Sequence, residues 1–158
     1  MSPMRIILNI VPPSSSKQSR SYSKHGISFP NKSLVNARNI YSKLVDYQPD
    51  MPLEGPLAVR ILFVRPLAQS DMSTRAKRSF LEVVQDGVMR CIWCMSKPDV
   101  DNAASVLLDQ LQQCGFFVDD KQVVDLRVMK VRARKPQVMI EIEPARDSTA
   151  FEIPDGVW

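Results

Sequence analysis

Two pairs of aspartates bracket the most distinctive stretch of this 158-residue sequence. Asp99 and Asp101 come directly after Pro98, and Asp119 and Asp120 follow a segment with helical spacing. Clustered carboxylates repel one another, and such a cluster usually exists to hold a cation. Oxygen ligands with no histidine or thiolate nearby favour Mg²⁺ or Mn²⁺ over zinc. A bound ion of this kind can activate water and neutralise charge on a phosphate, which is the chemistry of phosphodiester hydrolysis.

The first pair is placed by the proline before it and by a helix after it. Pro98 fixes its own φ and disfavours helix in the preceding residue, so the chain arrives extended. In an extended stretch, Asp99 and Asp101 point to the same face because they are two residues apart. The helix is expected to start near Asn102, with Asp101 or Asn102 as its N-cap.

That helix is indicated by apolar residues at three- and four-residue steps, which form a buried stripe. The stripe consists of Ala104, Leu107, Leu108 and Leu111. Gly115 is well placed as the residue just past the helix end. The apolar residues 116–118 then form a short plug, after which the chain can turn back and bring Asp119 or Asp120 towards the first pair.

Another interpretation of the same residues needs no metal. An Asp-x-Asp-Asn sequence before a helix is a common N-terminal device, stabilised by capping and by the helix dipole. Asp119-Asp120-Lys121 is also typical of an ordinary surface turn. Spacing alone therefore leaves both a metal site and a pair of structural turns open.

The same stretch resembles the signature of RusA-type Holliday junction resolvases. The resemblance runs without a gap from the first aspartate to the last and continues more weakly through 125–131. Its residues are Lys97-Pro98-Asp99-Val100-Asp101-Asn102, Asp109, Leu111, Gly115-Phe116-Phe117, Asp119-Asp120 and Gln122-Val123-Val124. Near the N-terminus, Val11-Pro12-Pro13-Ser14 is similar to the family's first strand and the Pro-Pro-Ser turn that follows it.

The resemblance implies a small homodimeric endonuclease that cuts four-way DNA junctions with Mg²⁺ or Mn²⁺ in recombination and repair. The family's three essential, metal-binding aspartates correspond to Asp99, Asp101 and Asp120. Each subunit would cleave one strand, so the cuts would be paired. A catalytically weak protein that binds branched DNA and a nuclease of flaps or single strands are the alternatives.

One position departs from the family pattern. The family usually carries a lysine four residues after the second aspartate, where this chain has Ser105. A cation beside the scissile phosphate is therefore missing from its usual place, and Lys97, Lys121 or another basic residue would have to substitute. If none does, we expect the protein to bind junctions and to cut them slowly or not at all.

Three further polar residues are expected to support the metal-binding aspartates without contacting the ion: Asn102, Asp109 and Asp119. Asp109 matches an aspartate of the family motif and lies two helical turns beyond Asp101, on nearly the same face. We expect it to orient a basic neighbour.

Basic residues inside and outside this stretch are candidates for contacts with DNA phosphates. The segment 14–30 is rich in serine, contains no acid and is expected to be a loop. A second basic group lies in 66–96, which we predict to be a helical insertion with a helix over 70–87. The candidates are Lys17, Arg20, Lys24, Arg75, Lys77, Arg78, Lys97 and Lys121. A solvated loop and a solvated helix face are the alternatives.

The remaining pattern, together with the resemblance, predicts a single α+β domain over 1–158 with a mixed, mostly antiparallel sheet packed against helices. Strands are predicted over 4–11, 57–65, 88–95, 123–133 and 138–143, and a helix over 31–47. The last two strands are expected to pair as a hairpin. Arg60 interrupts the second face of 57–65, so that face is expected to be partly open or to lie at an edge. The tail 144–158 is apolar enough to dock on the body or on a second subunit.

Length and composition agree with one domain in a reducing compartment. At 158 residues and a hydrophobic fraction of 44%, the chain can bury a core of its own. The net charge of +4 permits an anionic partner without requiring one. An odd count of three cysteines favours a reducing cytoplasm. The small size and the family resemblance imply, by association, a bacterial cell and a phage or prophage origin. No apolar run is long enough to cross a membrane, and no secretory signal is evident.

Two of the cysteines form the sequence Cys91-Ile92-Trp93-Cys94. Zinc would need four ligands, and only Cys114 and the distant His25 remain to complete the set. A redox role would need a thioredoxin-like setting. The third interpretation is a strand whose Trp93 packs in the core or at a dimer contact.

Overall fold

A computed structural model describes residues 3–12, 32–68, 80–84 and 88–145. In chain order the elements are β1 (Met4–Leu8), α1 (Lys32–Leu44), β2 (Leu57–Pro66), β3 (Phe80–Val84), β4 (Val88–Trp93), α2 (Val100–Gln113), β5 (Val123–Ala133) and β6 (Gln137–Pro144). Short 3₁₀ turns follow α1 at Val45–Tyr47 and precede β5 at Asp120–Gln122. Within the described ranges, neither helix has the length and apolar character needed to span a membrane.

The six described strands form one sheet in the order β1-β6-β2-β5-β4-β3. β2 runs parallel to β5, and the other neighbouring pairs are antiparallel. This confirms the expected α+β class with a mixed, mostly antiparallel sheet. The predicted strands and helices are found at α1, α2, β1, β2, β4, β5 and β6, with differences of a few residues at their ends.

The expected hairpin between the last two strands is wrong. β5 and β6 are separated by β2, with Ile61 opposite Val128 on one side and opposite Ile140 on the other. The physical reason is that β2 is apolar on both faces: Leu62 and Val64 are buried as well as Ile61. A strand of that kind is favoured at the centre of a sheet rather than at its edge. The second face of β2 is therefore not at an edge, although it is open around Arg60, which is exposed.

The expected helix over 70–87 is also wrong where the structure describes it. Phe80–Val84 forms β3, which pairs with β4, while 69–79 and 85–87 lie outside the described residues. The apolar spacing in this short segment suits a helix as well as a strand, and its aromatic and β-branched residues favour the strand.

The two helices cover one face of the sheet, and the main core lies between the helices and the sheet. Its largest fully buried side chains include Phe63, Phe116, Phe117, Leu107, Leu111, Ile140 and Ile142. The expected stripe of α2 is confirmed at Ala104, Leu107 and Leu111, which are buried. In and after α1, Ile40 and Leu44 are buried, whereas Tyr41 and Val45 are exposed. A smaller apolar cluster, which includes Leu62, Val64, Cys91 and Val131, lies on the other face of the sheet.

Candidate active site

The first pair of aspartates is divided by the start of α2. Asp99 is the N-cap residue, with extended backbone angles (φ −66°, ψ 155°), and Asp101 lies in the first helical turn. The expectation that Asp101 or Asn102 is the N-cap is therefore wrong, and the two aspartates do not belong to one extended segment. The helix begins earlier because the Ala103 amide already donates to the Asp99 carbonyl at 3.1 Å. The helix dipole favours a carboxylate such as Asp101 in the first turn.

One face of α2 carries polar side chains at every fourth position. Asp101, Ser105 and Asp109 all line an open pocket of about 440 Å³ beside the helix. Residues four apart in a helix lie on one face, so this alignment follows directly from the sequence. The pocket floor is apolar and comes from Leu126 and Val128 of β5.

Asp120 reaches the same pocket from the turn after α2. α2 ends at Gln113, and Gly115, just past its C-cap Cys114, has a φ of +75°, the left-handed conformation that glycine adopts most readily. The amides of Gly115 and Phe116 donate to the carbonyls of Gln112 and Leu111 at 2.9 and 3.0 Å. This pair of bonds closes the helix C-terminus and reverses the chain. The sequence prediction of Gly115 as the residue past the helix end is confirmed.

The turn that carries Asp120 is held by the residues on either side of it. The Asp119 carboxylate accepts a hydrogen bond from the Lys121 amide at 3.0 Å and pairs with the Lys121 ammonium at 3.3 Å. The hydrogen bond from the Lys121 amide is the main cause of an Asp119 pKa below its usual range. Asp119 thus caps the turn, while Asp120 is the member of this pair that lines the pocket.

Gln122 fixes this turn to a separate part of the chain, which sequence analysis did not anticipate. Its side-chain oxygen accepts from the amides of Val118 and Asp119 at 2.9 and 3.1 Å. Its side-chain nitrogen donates to the carbonyls of Leu53 and Gly55 at 3.0 and 3.1 Å. The motif match at Gln122 was the available signal, but nothing in the sequence indicated its partners.

The structure places two of the three expected metal ligands at one pocket. Asp101 and Asp120 share the pocket with Asp109, whereas Asp99 is exposed and does not line it. In the described part of the chain, no group of three His, Cys, Asp or Glu side chains is arranged to hold a metal ion jointly. Mg²⁺ needs only one or two protein carboxylates when waters and substrate phosphates complete its shell. The all-oxygen pair Asp101 and Asp120, facing an open pocket, fits such an ion.

The candidate DNA contacts are only partly within the described residues. Lys97 is exposed just before α2, and Lys121 is exposed beside Asp119. Asn102, expected to support the aspartates, is half-buried in the first turn of α2. The candidates Lys17, Arg20, Lys24, Arg75, Lys77 and Arg78 lie outside the described residues.

Three basic side chains that sequence analysis overlooked lie together at the start of α2, and we call them the basic clamp. They are Arg65 at the end of β2 and Lys130 and Arg132 on β5. All three donate hydrogen bonds to the segment Ser96–Pro98, directly before Asp99. Lys130 and Arg132 share a face of β5 because they are two residues apart, but only the pairing of β2 with β5 brings Arg65 beside them.

The cysteines are buried free thiols. Burial raises the pKa of Cys94, but its hydrogen bonds with Ser96 and the charges of Arg132 and Lys130 together bring the pKa below its ordinary value. Trp93 is 54% exposed, so the expectation that it packs in the core of its own subunit is wrong. Its alternative role at a dimer contact stays a prediction.

The family model described as endodeoxyribonuclease RusA matches residues 11–143, which is most of the chain. The chain belongs to the RusA endodeoxyribonuclease family. It is 31% identical over 96 residues to the uncharacterized protein YqaN of Bacillus subtilis strain 168, covering 61% of this chain and 63% of that protein. It is 38% identical over 50 residues to the crossover junction endodeoxyribonuclease rusA of Lactococcus phage r1t, covering 32% and 38%. The matched regions span less than two thirds of either relative.

Membership in the RusA family makes the charge at position 105 relevant to the chemistry of the pocket. The family resemblance places a lysine at this position, and the serine here faces the pocket between Asp101 and Asp109. The pocket wall therefore carries a short hydroxyl where an ammonium group is expected. Any positive charge used at this site has to come from another part of the molecule.

Proposed function

We propose that this protein is a metal-dependent endonuclease that resolves four-way DNA junctions by paired phosphodiester hydrolysis. The observation that carries the proposal is the position of Asp101 and Asp120, which line one open pocket in a chain of the RusA family. The whole chain would form one nuclease domain that acts in recombination and repair, in the cytoplasm of a bacterial cell and with a phage or prophage origin.

The carboxylates Asp99, Asp101 and Asp120 would hold Mg²⁺ or Mn²⁺. When bound, such an ion supplies Lewis-acid chemistry that lowers the pKa of water and offsets negative charge on the phosphate. Asp101 and Asp120 face the pocket where the scissile phosphate would lie, and Asp99 is the N-cap of α2, directly before the pocket residue Val100. Asp119 and Gln122 keep Asp120 in place through the turn that they cap and anchor.

A homodimer is the proposed assembly because a four-way junction has near two-fold symmetry and needs two cuts. Each subunit would present one pocket to one strand. Lys97 and Lys121 are exposed on either side of the pocket aspartates in sequence and would contact phosphates, together with Lys17, Arg20, Lys24, Arg75, Lys77 and Arg78. Phosphate contacts would supply most of the affinity.

The second candidate function is binding of branched DNA with slow or absent cleavage. Ser105 favours it, because a hydroxyl cannot supply the positive charge that a lysine would bring to the pocket. The retained pocket aspartates favour the nuclease. Both functions predict junction binding, so turnover is what separates them.

The test is cleavage of a labelled synthetic four-way junction in Mg²⁺ and then in Mn²⁺. Asp101→Asn serves as the site variant, and Asp50→Asn, an exposed aspartate outside the pocket, serves as the matched control. Symmetric paired cuts by the wild type and by Asp50→Asn, lost in Asp101→Asn, are the expected result. Tight binding without cuts in either metal would support the second candidate, and a preference for flaps or single strands would change the substrate class.

A further inference from the structure

Lys130 lies in line with the floor of the pocket. Along a strand, alternate residues share a face, so Leu126, Val128 and Lys130 point to the same side of β5. Leu126 and Val128 form the pocket floor beneath Asp101. Lys130 is the next residue on that face, and its side chain is half-buried between β5 and the segment that leads into α2.

The ammonium group of Lys130 bridges two carbonyls of that segment. It donates to the Ser96 carbonyl at 2.5 Å and to the Pro98 carbonyl at 2.6 Å. These are short, charge-assisted hydrogen bonds, which are about twice as strong as neutral ones. A lysine suits this position because three donors on one small group can reach two acceptors at once.

The other members of the basic clamp complete the arrangement. Arg65 donates to the Lys97 carbonyl and, at 3.4 Å, to the Ser96 hydroxyl. Arg132 donates to the same hydroxyl at 2.9 Å. Three consecutive carbonyls directly before Asp99 are thus bound by cationic side chains.

Lys130 and Arg65 both direct their charge at backbone carbonyls of this segment. Neither Arg65 nor Lys130 forms an ion pair with a carboxylate in the described part of the chain. A lysine that only stabilised the fold could do so by pairing with an acid, whereas Lys130 holds the carbonyl of the residue joined to Asp99. Movement of that carbonyl would move the N-terminus of α2 and the first pair of aspartates with it.

We propose that Lys130 is a positioning residue of the nuclease site: by binding the Ser96 and Pro98 carbonyls, it holds Asp99 and Asp101 in place relative to Asp120 for metal binding. The inference rests on the proposed nuclease function. Because Lys130 acts through the backbone before Asp99, its loss should weaken metal binding more than junction binding.

The experiment measures Mn²⁺ binding to the free protein by electron paramagnetic resonance, and then junction cleavage against Mn²⁺ concentration. Lys130→Met keeps the length of the side chain and removes its donors. We expect it to weaken Mn²⁺ binding by about tenfold and to raise the Mn²⁺ concentration for half-maximal cleavage by the same factor. Junction affinity measured without metal should change by less than about twofold, since the clamp already uses the ammonium.

Two further variants complete the design. Lys130→Arg, which keeps donors and charge, should recover most of the Mn²⁺ affinity, and Lys43→Met, an exposed lysine at the end of α1, should match the wild type. If Lys130→Met does not fold by circular dichroism, Lys130→Gln takes its place, with the same weakened Mn²⁺ binding expected. Unchanged Mn²⁺ affinity in a folded Met or Gln variant overturns the inference.

The wild-type result distinguishes failure of the proposed role of Lys130 from failure of the proposed nuclease function. If the wild type cuts junctions and the Lys130→Met variant shows the same dependence on Mn²⁺, the proposed role of Lys130 is wrong. The proposed nuclease function is then unaffected. A wild type that neither binds Mn²⁺ nor cuts would overturn the proposed function, and the role of Lys130 would fall with it.

Discussion

Ser105 is a position at which the pocket differs in charge from the pattern that the family resemblance implies. It lies on the helix face between Asp101 and Asp109, beside an open pocket of about 440 Å³ that can accept a longer side chain. We expect Ser105→Lys to raise the single-turnover cleavage rate by roughly tenfold or more, because a positioned cation stabilises charge that develops on the phosphate. Ser105→Met controls for length without charge and should not raise the rate. An equal rate in wild type and Ser105→Lys would mean that another residue already supplies the cation.

The second prediction concerns Glu141, which lies away from the pocket, on the face of the sheet opposite the helices. Its carboxylate accepts from Arg5 at 3.0 Å and from Arg60 at 3.1 Å. Burial raises the pKa of Glu141, but the hydrogen bonds and charges of the two arginines together lower it below its ordinary value.

A lowered pKa gives the sign of the pH dependence. The stabilisation by Glu141 is fully present above the ordinary glutamate pKa of about 4.3 and is lost as the pH falls through the lower value of the folded state. Because the two arginine side chains are 63% and 49% exposed, solvent screening limits the effect to about 1 kcal/mol. Glu141→Gln should therefore lower the Tm by roughly 2–4 °C at pH 7. The difference from wild type should shrink as the pH falls below about 4 in calorimetric scans, and a constant difference down to pH 2 would contradict it.

Among the elements, the turn between α2 and β5 decides where Asp120 lies, and Gln122 is its anchor. Gln122→Glu keeps the oxygen that accepts from the Val118 and Asp119 amides and removes the donors to the Leu53 and Gly55 carbonyls. We expect a loss of about 1–3 kcal/mol in the free energy of unfolding, since two carbonyls lose their partner and face a carboxylate. Cleavage should fall as well, because Asp120 moves with the turn.

The matched control for this prediction is Gln48→Glu, which makes the same chemical change at an exposed glutamine. Urea unfolding and junction cleavage of the two variants give the comparison. Equal stability of Gln122→Glu and Gln48→Glu would show that the anchor to Leu53 and Gly55 contributes nothing.

The elements also show where sequence reasoning succeeds. α2, the glycine just past its end and the limits of β5 were predicted because each depends on local pattern: helical spacing, a glycine at positive φ and alternation along a strand. The motif likewise indicated Asp101 and Asp120, which line one pocket.

The parts that were missed depend on contacts distant in sequence. β3 is a strand because β4 pairs with it, and β2 separates β5 from β6 because both of its faces are apolar. Gln122 meets Leu53 across 69 residues, and Lys130 meets Pro98 across 32. No pattern within a short window contains such pairs, so the anchor and the basic clamp could be found only from the folded chain.

For the molecule as a whole, the face of the sheet opposite the helices bears on the proposed homodimer. Trp93 lies on that face, opposite Val131 in the register of β4 and β5, and is 54% exposed. A large exposed aromatic residue beside an apolar cluster is typical of an interface. We expect Trp93→Ser to weaken the dimer by about thirtyfold or more, the effect of losing a tryptophan at the centre of an interface.

Sedimentation velocity over a range of protein concentrations measures that change. Met95→Ser is the matched control, because Met95 is 96% exposed two residues further along the same segment. A dimer of unchanged strength in Trp93→Ser would place the interface elsewhere. A wild type that stays monomeric at all concentrations would contradict the dimer itself.

Charge on the whole molecule leads to the last prediction, which concerns salt. The net charge of +4 is small, so junction affinity has to come from basic residues gathered at the DNA rather than from the overall field. Each phosphate contact releases condensed counterions, so the logarithm of the binding constant should fall linearly with the logarithm of salt concentration. If six or more phosphates are contacted, affinity should drop roughly a thousandfold between about 50 and 200 mM salt. Titrations of Asp101→Asn, which should bind without cutting, measure this directly in Mg²⁺-free buffer. An affinity that stays constant across that range would exclude phosphate contacts as the main source of binding and would count against a junction as the substrate.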